Sequence, residues 1–355
     1  MRTIFFVFTC FLLNITIVCA QNIPGDWELS DEKFDVAVID SMKMKISDST
    51  FKLITSVVVI KDGKVLVEEY FNGFSRDSLH DTRSVGKTFT STLTGIAINE
   101  GYIENEEQTL GSFYKLKDYE NYSSLKETIT LKNLLTMSSG FLGFDFDENS
   151  PGNEENMYPQ ADWVKWTLNL PMDSAKTPGS KWEYFTAGIV VLGDILNKNV
   201  PGGLEKFADE KLFKPLGIDK YKWEYTPQGV PNTAGGLRLS SLDLAKFGQL
   251  YKSRGMWKGN RVIPEKWVNE TLTKHFILPF DNMAYGYLWW NKNYNVNNNS
   301  YEVYACSGNG GNKIFVFTGQ PLVVVITSTA FNKPYAHRQA DKIIEDYILP
   351  AVLGK

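Results

Sequence analysis

The sequence predicts an α/β fold of the α+β kind: an antiparallel sheet built from both chain ends, with a mostly helical subdomain inserted at about residues 111–290. Strand patterns cluster near the two ends, at 55–71 and 301–330, while helical patterns broken by Pro and Gly fill the middle. The chain has 355 residues, 43% of them hydrophobic, which suffices for one large core. No repeat or low-complexity linker divides it.

Residues 1–20 stand apart. Met1-Arg2 precedes an apolar run from Ile4 to Val18, interrupted at Asn14, and Val18-Cys19-Ala20 precedes Gln21. A short basic start, an apolar stretch and a small-residue end predict an export signal cleaved after Ala20, leaving a domain of 21–355. The run is short for a lasting anchor, so no stable membrane span is expected. Lipidation at Cys19 is disfavoured by Val18, where a small residue would be needed. Of three cysteines, Cys10 and Cys19 fall in the signal and only Cys306 remains, so no internal disulfide can form. Export without disulfides suits a bacterial periplasm or exterior. A net charge of −4, without clustered positive charge, argues against a nucleic-acid partner.

The elements follow in order. Residues 55–71 are two β-rich runs around Asp62-Gly63, a hairpin signal. In residues 84–99, Val85, Phe89, Leu93 and Ile96 recur at helical spacing, predicting an amphipathic helix with one buried stripe. "LKNLLTMSSG" reads as a helix ended by Gly140, and "GIVVLGDILNKN" as another. "SLDLAKFGQLYKSRG" reads as a third, entered through Ser240-Ser241 as N-cap. Strands return at 301–308, 313–319 and 322–330 after the polar turn "NVNNNS", and a final helix begins at Ala336. A cleft between sheet and insertion is the natural place for a site.

Three stretches carry candidate chemistry. Ser84 and Lys87, at the predicted helix start, share a helix face. A serine hydroxyl needs a neighbouring base, and a lysine serves only when neutral, a form that burial favours. The spacing alone is weak, because Ser30, Ser49, Ser112 and Ser123 also have a lysine three residues on. Only Ser84 combines it with a helix start, an apolar stripe and a small neighbour, Gly86. The second stretch, 178–188, presents the Tyr184 and Thr186 hydroxyls just before an apolar helix. A tyrosine beside a lysine can relay a proton, although a core tyrosine with a satisfied hydroxyl is commoner. The third is a strand end, Ser307-Gly308-Asn309-Gly310-Gly311. Its glycines let backbone approach a ligand, and an N–H here with that of Ser84 could bind an oxyanion. An ordinary hairpin turn is the competing reading.

Other chemistry fits poorly. His80, His275 and His337 lack metal-ligand spacing, and His337 is expected to face solvent. The acidic stretch 144–156 matches no calcium loop and reads as solvated. No phosphate-binding or dinucleotide fingerprint is present.

Ser-x-x-Lys, Tyr-x-Thr and a glycine-rich strand end, in this order, resemble the serine β-lactamase-like superfamily, in its class C β-lactamase, D,D-peptidase and esterase branch. "TLKNLLTMSSGF", "GGLRLSSLDLAKFGQLY", "GMWKGNRVIPEKWV" and "AYGYLWW" extend the likeness over roughly 50–350. The resemblance implies a β-lactamase/transpeptidase-like fold, with Ser84 as acylated nucleophile and Lys87 with Tyr184 as the proton-handling pair. The N–H groups of Ser84 and Asn309 would form the oxyanion hole, with Thr186, Ser307 and Gly308 beside the substrate. No metal or cofactor is implied. Two departures matter. Thr186 stands where the branch usually has asparagine. Cys306 stands where it has a lysine or histidine that would pair with a substrate carboxylate. "SGNGG" is more similar to the esterases and the 6-aminohexanoate-dimer hydrolase members. Cys306 itself reads as inert packing.

The expectation is an exported serine hydrolase acting on a small-molecule ester or amide. The rivals are a β-lactamase or D,D-peptidase acting on β-lactams or peptidoglycan, and a catalytically silent binding protein on the same fold. Tyr287, Trp289 and Trp290 are expected in the core or along the acyl pocket. Oligomeric state is left open.

Overall fold

The structure, a computed structural model, describes residues 27–280 and 282–354. The export signal read over residues 1–20, with Cys10 and Cys19, lies outside the described residues. At the centre is an eight-stranded antiparallel sheet. It comprises β1 (Ile54–Lys61), β2 (Lys64–Tyr70), β3 (Phe276–Ile277), β4 (Ala284–Tyr285), β5 (Trp290–Val296), β6 (Asn299–Gly308), β7 (Asn312–Phe317) and β8 (Leu322–Ser328). The spatial order is β2-β1-β8-β7-β6-β5-β4-β3, so both chain ends share one sheet. The seam is the β1–β8 pair, with Val58 opposite Val325.

The turns behave as their residues dictate. Asp62 (φ 50°) and Gly63 (φ 75°) are both left-handed, as a two-residue hairpin turn requires. Asn297 and Asn298 do the same between β5 and β6. The β5 stretch "WNKNYNV" is too polar to read as a strand alone. Its partly exposed position toward the sheet edge tolerates that polarity. Strands β3 to β5 therefore belong to the sheet, and the helical insertion ends before Phe276 rather than near 290.

The sheet is covered on both faces, which explains runs such as "VVVI" and "LVVVI". Val58, Ile60, Ile314, Val316, Val323 and Val325 face the larger core. Their neighbours Val57, Val59, Phe315, Phe317, Val324 and Ile326 face a second core. Helix α1 (Val36–Ser47) covers that second face with the C-terminal segment. The segment is helical from Ala336 to Leu353, with a π turn at Ile344–Ile348. On the larger core's side lie α2 (Gly86–Asn99), α3 (Thr186–Asn199) and α4 (Ser241–Lys252). Helix α4 lies against β1, β7 and β8, and α2 against α3. The Ser240 hydroxyl caps α4 by accepting from Asp243 N–H at 3.1 Å.

Two helices differ from expectation. Helix α2 is buried all round from Gly86 to Ala97 rather than along one stripe. Its polar face is made of small residues, and every threonine hydroxyl on it finds an internal partner, while that of Ser91 has none. Thr92 and Thr94 donate to carbonyls four residues back, and Thr90 donates to Thr233 O. Gly95 admits Trp267, whose ring would lie 2.2 Å from a Cβ there. The helix expected to run to Gly140 stops at Leu135, because Thr136 bonds back to Lys132 O and Met137 turns left-handed.

Candidate active site

The nucleophile candidate sits on a strained turn. His80–Asp81 pairs with Leu237–Leu239 as a short ribbon, and the chain then enters a 3₁₀ turn, Arg83–Val85, that feeds α2. Arg83 is left-handed (φ 53°), unfavourable for a long side chain, and Asp81 Oδ1 holds it by accepting its N–H at 3.2 Å. Gly308, at the end of β6, presses against this turn. A Cβ at 308 would fall 1.9 Å from Thr82 O and 3.2 Å from Ser84 N. Only glycine lets the strand approach so closely.

Ser84 and Lys87 meet as their spacing predicts. Lys87 Nζ lies 2.7 Å from Ser84 Oγ and 2.7 Å from Ala234 O, and its side chain is 1% exposed. The Tyr184 ring lies 5.2 Å from the same nitrogen. Burial raises the Tyr184 pKa, while the Lys87 charge and a hydrogen bond with Ser84 pull it back. The tyrosine loop is pinned by backbone bonds on both sides: Glu183 N–H donates to Met137 O (2.7 Å) and Asp145 N–H to Tyr184 O (2.8 Å). Phe146 and Trp290 stack on the Tyr184 ring, with centroids at 5.3 and 5.8 Å.

A cavity of about 660 Å³ opens here, lined by Ser84, Tyr184, Trp290, Ser307, Gly308 and Asn309. Asn309 is fixed by its neighbours: its carbonyl accepts from Asn312 Nδ2 (2.8 Å), and its side-chain oxygen accepts from Asn332 N–H (2.8 Å). Among the described residues, no hydrogen-bond acceptor takes the N–H of Ser84 or Asn309.

Three sequence readings change. The 144–156 stretch is largely exposed, as the solvated reading expects, but it is also a wall of the cavity: Asp145, Phe146, Glu148, Glu154 and Glu155 line it. Asp145 accepts from the N–H groups of Thr186 (2.7 Å) and Glu154 (2.9 Å). Burial, helped by Glu154, raises its pKa to about 6. Thr186 does not line the cavity. It is the first residue of α3, buried, with an unpartnered hydroxyl, and its N–H serves to anchor Asp145. His337 is exposed, as expected, yet it lines the cavity mouth.

Apart from Trp290, the other candidates fall where the blander readings put them. Tyr287 and Trp289 are core and Trp290 lines the cavity. Cys306 is fully buried, and burial pushes its thiol far above the ordinary range. His80, four residues before Ser84, is held by Thr55 Oγ1 (3.2 Å) and Ser241 Oγ (2.9 Å) in a structural network. His275 stacks on Tyr287 and bonds Glu270 O. No group of three or more metal-ligating side chains occurs among the described residues. The Ala234 carbonyl and Asp145 were invisible in the sequence, because nothing local marks a carbonyl or a loop carboxylate as facing a lysine 50 or more residues away.

The sequence profile of the family described as Beta-lactamase matches residues 54–347. The chain belongs to the beta-lactamase family. This makes the protein a serine hydrolase of the beta-lactamase-like kind, with esterase and amidohydrolase neighbours. It is 22% identical over 284 residues to a 6-aminohexanoate-dimer hydrolase of Paenarthrobacter ureafaciens, covering 72% of this chain and 69% of that protein. Its fold is similar to that of a D-stereospecific amidohydrolase from Streptomyces sp. (TM-score 0.65, 18% identity, 87% of this chain and 97% of that one). A family VIII carboxylesterase is equally similar (TM-score 0.65, 16% identity, 88% and 97%).

Proposed function

We propose that this beta-lactamase family member is an exported enzyme that hydrolyses an ester or small amide through an acyl-enzyme at Ser84. The observation that carries this reading is the buried Lys87 Nζ 2.7 Å from Ser84 Oγ at the cavity wall. A neutral amine there can donate one N–H to Ala234 O and turn its lone pair toward the serine proton. Tyr184, beside both, relays that proton to the leaving group. Attack by Oγ on the substrate carbonyl creates an oxyanion, which the N–H groups of Ser84 and Asn309 stabilise. One such donor is worth about 3 kcal/mol. Collapse expels the alcohol or amine, and water then releases the acid from Ser84 by the same proton path.

The reading is tested by mixing the protein with 4-nitrophenyl butyrate and weighing it intact. A mass increase of one butyryl group, mapped to Ser84 and lost in Ser84→Ala, is expected. Turnover by Ser84→Ala equal to wild type would reject the assignment. The sequence rivals have their own signatures: acylation by penicillins for the β-lactam-active reading, and no acyl-enzyme with any substrate for the binding protein.

A further inference from the structure

Cys306 leaves the strand end without the cation that would meet a substrate carboxylate. The ladder places another nearby. Strands β6 and β7 pair Ser307 with Lys313, so these side chains share a face, and Lys313 Nζ donates to Ser307 Oγ at 2.7 Å. Ser307 lines the cavity that holds Ser84. It also lines an adjoining cavity of about 430 Å³, shared with Lys313, Trp290, Phe280 and Met283 and with the charged pair Lys292 and Asp341.

Lys313 is a poorly matched charge. Its nitrogen is partly buried, yet among the described residues no carboxylate lies within ion-pair distance of it. The acid that shares its cavity, Asp341, is taken by Lys292 (2.9 Å) and by the Tyr294 hydroxyl (2.6 Å). Lys313 is left with one neutral hydroxyl for three N–H donors. A buried cation is normally paired, because desolvation is repaid only by an opposing charge. Burial accordingly lowers its pKa to about 8, Asp341 opposing and Lys292 adding to the shift. The acidic side chains of 145–156 line the Ser84 cavity, whereas the charged lining of the Lys313 cavity is two lysines, Lys292 and Lys313, against the single carboxylate of Asp341, so the two ends of the cleft differ in net sign.

We infer that Lys313, with Ser307, forms a carboxylate-binding subsite, and that the substrates are esters or amides carrying one carboxylate at that end. Trp290, Phe280 and Met283 supply apolar contact for the intervening chain. This rests on the hydrolase reading above and narrows its substrate class.

The test uses hexanoate and its neutral isostere hexanamide as competitors of fluorophosphonate labelling at Ser84, in wild type and Lys313→Met at low ionic strength. Hexanoate is expected to protect about 10- to 100-fold more strongly than hexanamide in wild type, the range of one charge-assisted hydrogen bond. The advantage should vanish in Lys313→Met and survive in Lys313→Arg. Equal protection in wild type, or an undiminished advantage in Lys313→Met, overturns the subsite. The wild-type comparison decides alone if Lys313→Met does not fold. Labelling without selective protection would sink the subsite only, whereas no labelling of Ser84 would sink the hydrolase reading and the subsite with it.

Discussion

Residue by residue, the site depends on placement more than on residue type. Tyr184→Phe keeps the ring that Phe146 and Trp290 stack on and removes only the proton relay. Its kcat should fall by about 10²- to 10⁴-fold with little change in Tm, which steady-state kinetics and a thermal melt would check. Lys313 should give the carboxylate preference a pH limit. The groups around it are Lys292 on β5, Cys306 on β6, and His337 and Asp341 on the C-terminal helix. With its pKa at about 8, Lys313 is cationic below that pH, so the hexanoate advantage should be full near pH 6.5 and decline above pH 8. An advantage flat to pH 10 would assign it to another group. His80 governs acid stability. Burial lowers its pKa from 6.5 to about 4, so the folded state keeps it neutral where the unfolded chain binds a proton. Stability is therefore complete above pH 6.5 and is lost as pH falls toward 4, by about 3 kcal/mol over the window. Denaturant titrations at pH 7 and pH 4.5 should show a smaller drop for His80→Asn than for wild type.

At the scale of elements, the active-site turn is set by the close approach of β6 to the start of α2. A methyl at 308 would lie 1.9 Å from Thr82 O, so Gly308→Ala must push strand or turn aside. The expected cost is about 1–3 kcal/mol of stability with loss of most activity, read by denaturant unfolding and ester turnover. A fully active Gly308→Ala would show that the strand end does not shape the site. The sequence carried β1, β2, β6, β7 and β8 plainly, since buried strands read as apolar runs. It concealed β5, whose Lys292, Asn293 and Asn295 mask a strand partly open to solvent. It misjudged α2 because threonines that bond back to their own helix look polar in sequence but behave as core. Ser84, Lys87 and Tyr184 were legible because spacing and helix context act locally. Lys313 was not, although six residues across a tight hairpin place it opposite Ser307, and a register argument could have found it.

For the whole molecule, the sheet is a shared wall between two cores, and the site lies where the C-terminal end of β6 meets the helical insertion. The second core depends on α1 and the C-terminal helix for cover. Deleting residues 336–355 would bare Phe315, Val324 and Ile326 to water and should yield insoluble or unfolded protein, seen by circular dichroism and sedimentation. It would also remove His337 from the cavity mouth. Everything functional above rests on Ser84 being an activated nucleophile. The most direct measurement treats the folded protein with a fluorophosphonate probe and locates the label by peptide mass spectrometry, with Ser84→Ala and Lys87→Met alongside. A label is expected on Ser84 in wild type, none at that position in Ser84→Ala, and strongly slowed labelling in Lys87→Met. Folded wild-type protein that takes no label, or takes it on another serine, would contradict an activated Ser84.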